Sequence, residues 1–226
     1  VLMLIVLQFS VMLTGMAMQA IKGYYNFQPD IYLKTLFVRD LWSYIVWVCV
    51  AFLVHTLANN KFMGHGIVIL FAVLNTIVFA VMGWRHNLYI IGGSPSVTLS
   101  DMNGFGHFWK PTLWFAAYWL IFGGILLSLA AKWWVRSTEF NFKARVKSVR
   151  NEKNPTRLAV TLTLLGLFIL CGGFIFYNTN VLNEYQSKKD REKQQIAYEN
   201  QYKRFENTPQ PRIQSVKTDI AIFPDE

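Results

Sequence analysis

Four histidines, His55, His65, His86 and His107, are the side chains of this sequence to weigh as ligands of a metal or a haem. A haem held by two of them needs rings that face one another at similar depth on two helices. His55 and His65, which flank one short connector, are the pair that can meet that condition near one membrane face. Plain packing at a hairpin end is the simpler reading of both. His86 and His107 lie on a longer connector, 85–110, which runs from Arg85-His86-Asn87 through Gly92-Gly93-Ser94-Pro95 to Asp101-Met102-Asn103-Gly104-Phe105-Gly106-His107. Long, glycine-rich connectors are often functional. Asp101, His107 and Lys110 are therefore read as residues able to line the mouth of a pathway, with a re-entrant or surface helix as the alternative. His-Glu-x-x-His and Cys-x-x-Cys spacings are absent, which leaves a zinc centre within the chain without a motif. Gly-Lys-Ser/Thr is absent too, so ATP-driven work requires a separate nucleotide-binding subunit.

The elements that carry these residues are set by the apolar pattern. Of the 226 residues, 53% are hydrophobic and only 15% charged, against about 25% charged in soluble domains. Five stretches, 1–21, 42–58, 65–84, 111–131 and 158–177, contain no Asp, Glu, Lys or Arg. One such charge at mid-span costs roughly 2.5–3.5 kcal/mol, and about 20 apolar residues cross the hydrocarbon core as a helix. The expectation is an all-α integral membrane protein whose bundle of five spans occupies 1–177 in the lipid bilayer. Asn75, inside the third span, is expected to make an interhelical hydrogen bond. Gly123-Gly124 and Gly172-Gly173 would let neighbouring backbones approach. Cys49 and Cys171 fall within apolar runs and read as packing residues. Aromatic residues at the span ends, among them Tyr24, Trp42, Trp84, Trp114, Trp134 and Tyr177, read as interfacial belts.

Charge sets the direction of the chain. The net charge of +9 sits in loops between apolar runs and not on one amphipathic face, which argues against a nucleic-acid surface. The connector 132–157 carries eight bases against Glu139 and Glu152, so the positive-inside rule makes it cytoplasmic. Counting outward puts 59–64 inside, and 22–41, 85–110 and the tail 178–226 outside. Lys22, Lys34 and Arg39 oppose this mildly. Phe140, Phe142, Lys143 and Arg145 on the basic connector make the best docking surface for a partner ATPase of the ATP-binding-cassette type.

After Tyr177 the composition turns polar. An exposed, charged juxtamembrane helix is expected over 178–208, continuous with the last span to about residue 206, with Glu184/Lys188 and Glu199/Lys203 in the favourable i,i+4 order. Pro209 and Pro211 then start an extended segment, 209–226, in which 218–223 alternates as a strand does. The chain lacks an initiating Met and a signal-peptide pattern, and it is read as part of a longer protein.

Phe176-Tyr177-Asn178-Thr179-Asn180-Val181-Leu182-Asn183-Glu184-Tyr185, Lys189-Asp190-Arg191-Glu192-Lys193 and Pro209-Gln210-Pro211-Arg212-Ile213 together resemble a bacterial fusion of a multi-span ABC-type permease with an aminopeptidase N-like zinc metallopeptidase. Ile21-Lys22-Gly23-Tyr24-Tyr25-Asn26-Phe27, Asn59-Asn60-Lys61, Gly64-His65 and 100–107 are similar to that family's membrane region, and Asp219-Ile220-Ala221-Ile222-Phe223-Pro224 to the first strand of its peptidase. The resemblance implies a multi-pass inner-membrane anchor, an extracytoplasmic peptidase acting on peptides, and zinc in that further domain. No cofactor and no catalytic residue is carried onto this chain. A non-enzymatic transporter subunit or sensor with a protein-binding tail is the other reading.

Overall fold

The computed structural model describes residues 1–58, 60–83, 86–100, 102, 104–134, 154–183, 185–209 and 212–221. Among the described residues five helices are long and apolar enough to cross a membrane, and no strand is formed. The first is α1, Leu2–Ile21, whose 20 residues span about 30 Å at 1.5 Å per residue, the thickness of a hydrocarbon core. A short helix, α2, Pro29–Leu33, runs through a π-helical segment, Lys34–Asp40, into α3, Leu41–Leu57. The chain reverses and α4, Lys61–Met82, follows, capped where the Asn60 side-chain oxygen accepts from the Phe62 N–H at 2.9 Å. The remaining spans are α5, Trp109–Trp133, and α6, Pro155–Phe176, the latter extended by π-helical Tyr177–Leu182.

The spans overrun their charge-free windows because charged residues are tolerated at helix ends, where long side chains reach water. Lys61 and Arg157 lie in the first turns of α4 and α6, and Lys132 in the last turn of α5. The expected loop 22–41 is helical from Pro29 onward. Within it Arg39 and Asp40 pair through Nε–Oδ1 at 2.7 Å and a second bond at 3.1 Å, so the two charges largely neutralise each other. At the far end of α6 the wide π turns leave carbonyls that side chains satisfy. Asn178 Nδ2 donates to Phe174 O at 2.8 Å, and Asn180 Nδ2 to Phe176 O at 3.2 Å.

The core sits between α3, α5 and α6. Trp42 and Val46 of α3 meet Phe115, Trp119, Cys171 and Ile175. Of the spans α5 is the most enclosed, with 33% of its apolar window buried against 6% for α1, which makes α5 the centre of the bundle. Trp42, expected in an interfacial belt, is 5% exposed and belongs to this core, whereas Tyr24, Trp114, Trp134 and Tyr177 are exposed. Both cysteines are free and buried. Glycines set the helix spacing: a Cβ on Gly123 would lie 3.3 Å from Cys49 Sγ, and one on Gly172 would lie 3.0 Å from Tyr118 Cε2. Gly173, by contrast, faces open space. Across α5 and α6 the Ser128 and Thr161 hydroxyls lie 2.6 Å apart, and since Thr161 donates to Arg157 O, Ser128 is the donor between them.

The chain divides into two compact units, Val1–Ser187 and Lys188–Glu226. The second holds α7, Lys188–Tyr202, which is exposed along its whole length and ends in a 3-10 turn, Lys203–Phe205. The charge pattern predicts a continuous helix from the last span to residue 206; instead 183 and 185–187 are non-helical. Lys188 pairs with Glu192 at 3.3 Å, and Gln195, not Lys203, bonds Glu199 at 3.1 Å. The Tyr198 and Tyr202 rings lie side by side on α7, with centroids 4.5 Å apart. Residues 212–221 are unpaired by any strand among the described residues.

The two neighbouring glycines of α6 give a test of this packing. Gly172→Leu is expected to destabilise the detergent-extracted protein by about 1–3 kcal/mol through overpacking, seen as a lower Tm, while Gly173→Leu leaves Tm nearly unchanged. Equal effects of the two would contradict the α5–α6 contact.

Candidate functional site

At the end of the bundle where α1, α4 and α6 finish, the connector after α4 folds back over the core as a fixed loop. Its backbone is not helical, so its polar groups need partners from elsewhere. Asn75, reaching up from α4 and 7% exposed, accepts from the Ile91 N–H at 3.1 Å. Trp119 of α5 donates its indole N–H to Asn87 O at 3.3 Å and Gly93 O at 3.2 Å. Leu88 and Ile91 drop onto the core between these anchors. Gly92 has φ of 71° and lies against α3, where a Cβ would fall 2.5 Å from Ser43 Oγ, so both conformation and space require glycine.

His86 ties the same loop to the last span. Its Nδ1 accepts from the Leu88 N–H at 3.2 Å, which leaves Nε2 to carry the proton and donate to Thr179 Oγ1 at 3.1 Å. Thr179 in turn donates to Ile175 O at 2.8 Å and accepts from Asn180 Nδ2 at 3.0 Å. The ring packs against Tyr185 at 4.8 Å, Tyr89 at 5.9 Å and Phe115 at 6.4 Å. His86 is 7% exposed, and burial pushes its pKa below the ordinary 6.5. The bonding is complete only for the neutral ring, because a second ring proton would displace the Leu88 N–H.

A cavity of about 530 Å³ opens at the same end, between the α2 segment and the turn before α5. One wall carries Asp30 and Lys34, with Nζ–Oδ2 at 3.7 Å. Ser100, Gly104 and Gly106 also line the cavity, together with Phe105 and Trp109, whose rings stack with centroids 5.3 Å apart at 22°. Ser100 and Gly104 exchange two backbone hydrogen bonds of 2.8 Å, closing the turn, and Gly104 at φ 63° supplies its left-handed step.

The residues singled out from the sequence fare unequally. Asn75 is a genuine anchor, but its partner is loop backbone and not another helix's side chain. His107 is exposed with its ring 4.1 Å from that of Phe108, and Lys110 is exposed; neither lines the cavity. Asp101 and the docking residues Phe140, Phe142, Lys143 and Arg145 lie outside the described residues. His55 and His65 do meet, edge to face with centroids 4.5 Å apart. That contact leaves no gap for a macrocycle between the rings, which overturns the haem geometry. Gly64 makes it possible, since a Cβ there would collide with the His55 ring. Trp119, Thr179 and the Asp30–Lys34 wall carry no motif that singles them out, although the i,i+4 spacing of the last pair is legible in the sequence.

No family model, curated protein or solved structure matches the chain. Among the described residues no group of three His, Cys, Asp or Glu side chains is placed to hold a metal ion.

Two outcomes follow from the anchoring of the loop. Asn75→Leu orphans the Ile91 N–H and should cost about 1–3 kcal/mol, read as a Tm several degrees lower; an unchanged Tm would contradict the bond. Because the pKa of His86 is lowered by burial, the unfolded chain takes up the proton first as pH drops. The contribution of the neutral ring is whole above about pH 6.5 and is lost as pH falls through the lowered value. His86→Asn should flatten that part of the Tm-against-pH curve, and identical curves would exclude the role.

Proposed function

We propose that this chain is a permease-like membrane region that anchors an extracytoplasmic zinc aminopeptidase. The observation that carries the reading is the division of the chain into an apolar five-helix unit and a second unit that begins with a charge-rich, exposed helix at Lys188. A helix with no buried face, followed by extended backbone, suits a spacer that lifts a domain away from a bilayer. The sequence resemblance supplies the identity of that domain, and the excess of bases in 132–157 supports its placement outside the cytoplasmic membrane. In this reading the bundle holds its place by lipid contact, and docking of a partner ATPase on the basic connector would add transport to anchoring.

The zinc chemistry of such a peptidase, activation of water for attack on a peptide carbonyl, belongs to residues that this chain does not supply. The rival reading, a non-enzymatic transporter subunit or sensor, predicts a native protein without peptidase activity. An antiserum against residues 188–209, used on native membranes, separates the two. The proposal predicts an immunoprecipitate that releases N-terminal residues from peptides and loses that activity to a zinc chelator. An immunoprecipitate that contains the chain but has no peptidase activity would overturn it.

A further inference from the structure

The cavity beside α2 combines opposite charges with an aromatic wall. Asp30 and Lys34 are separated by 3.7 Å, and their side chains remain 66% and 54% exposed. That separation exceeds the roughly 2.7–2.9 Å of a charge-assisted hydrogen bond, and an exposed pair of this kind binds itself weakly. Both groups therefore keep most of their hydrogen-bonding capacity for a ligand that enters the cavity. Stacked Phe105 and Trp109 supply an apolar surface opposite them, and Ile31 and Leu99 extend it.

A ligand that satisfies both walls at once must present a cation and an anion a few ångströms apart, with an apolar group projecting away from them. We propose that the cavity binds a free α-amino acid with an apolar side chain, its ammonium on Asp30 and its carboxylate on Lys34. A phosphate or simple carboxylate would face Asp30, and a simple amine would face Lys34, so each suffers a repulsion that the zwitterion avoids. The volume of about 530 Å³ falls in the range of roughly 300–1,000 Å³ typical of small-molecule sites. The doubly bonded Ser100–Gly104 turn fixes one wall before any ligand arrives, which limits the ordering cost of binding. The inference goes beyond the anchoring function and does not depend on it.

Equilibrium binding of tritiated leucine to the purified full chain in nanodiscs tests it. Leucine should bind saturably. Leucinamide, lacking the carboxylate, and 4-methylpentanoate, lacking the ammonium, should each compete about tenfold or more weakly, the worth of one hydrogen bond to a charged group. Asp30→Asn should weaken leucine about tenfold while leaving 4-methylpentanoate no weaker, and Lys34→Met should do the same relative to leucinamide. Both positions are exposed, and retained elution volume on size exclusion confirms that the variants fold. Absence of saturable leucine binding, or equal competition by the two analogues and leucine, would overturn the proposal. Binding is read on the bundle and peptidase activity on the native protein, so either can fail without the other.

Discussion

A backbone N–H or C=O left unpaired in hydrocarbon costs several kcal/mol, and the architecture of this chain follows from avoiding that cost. Helices pair their own backbone, which is why the apolar stretches are helical over nearly all of their described residues. Where the helix widens into π turns, the side chains of Asn178, Thr179 and Asn180 return to carbonyls one turn back. Where the chain abandons the helix altogether, after α4, side chains from α4, α5 and the π-helical end of α6 take over the bonding. Asn75, Trp119 and Thr179 each serve the 86–93 loop, two of them directly and Thr179 through His86.

This fastening concentrates the chemistry of the bundle at one end. The loop, the two π-helical segments and the Asp30–Lys34 cavity all lie there, whereas at the opposite end α3 and α4 are joined by a short hairpin at which His55 meets His65. π-helical turns recur at functional sites because they displace side chains from the regular helical face. Here the first of them begins at Lys34 and so sets the cavity wall, and the second carries Thr179 to His86.

The spans were legible in the sequence because a charge-free apolar run of about 20 residues is the length a bilayer demands and is seldom needed in a water-soluble fold. Their ends were not, since Lys61, Lys132 and Arg157 are compatible with a helix terminus as well as with a loop. Trp42 shows the limit of position-based reading: it sits at the start of α3 like a belt residue, yet the side it faces is decided by α5 and α6. The same holds for Gly172 and Gly173, adjacent in sequence and opposite in consequence. Asn75 could be recognised as needing a partner, but not which one. His86 and Thr179 are 93 residues apart, and no local pattern announces their bond. The break after Leu182 was masked by the favourable i,i+4 charge order of Glu184/Lys188 and Glu199/Lys203 beyond it.

The central claim is that α6 crosses the bilayer and separates the basic connector from the polar unit. Cys49 and Cys171 are the chain's two cysteines, and both are buried, so a background with both replaced by alanine allows single cysteines at Ser148 and Ser187. Membrane-impermeant maleimide should label Ser187→Cys in intact cells, and Ser148→Cys only after the cytoplasmic face is opened. Labelling of both positions from the same side would contradict the topology and, with it, the placement of the polar unit outside the membrane.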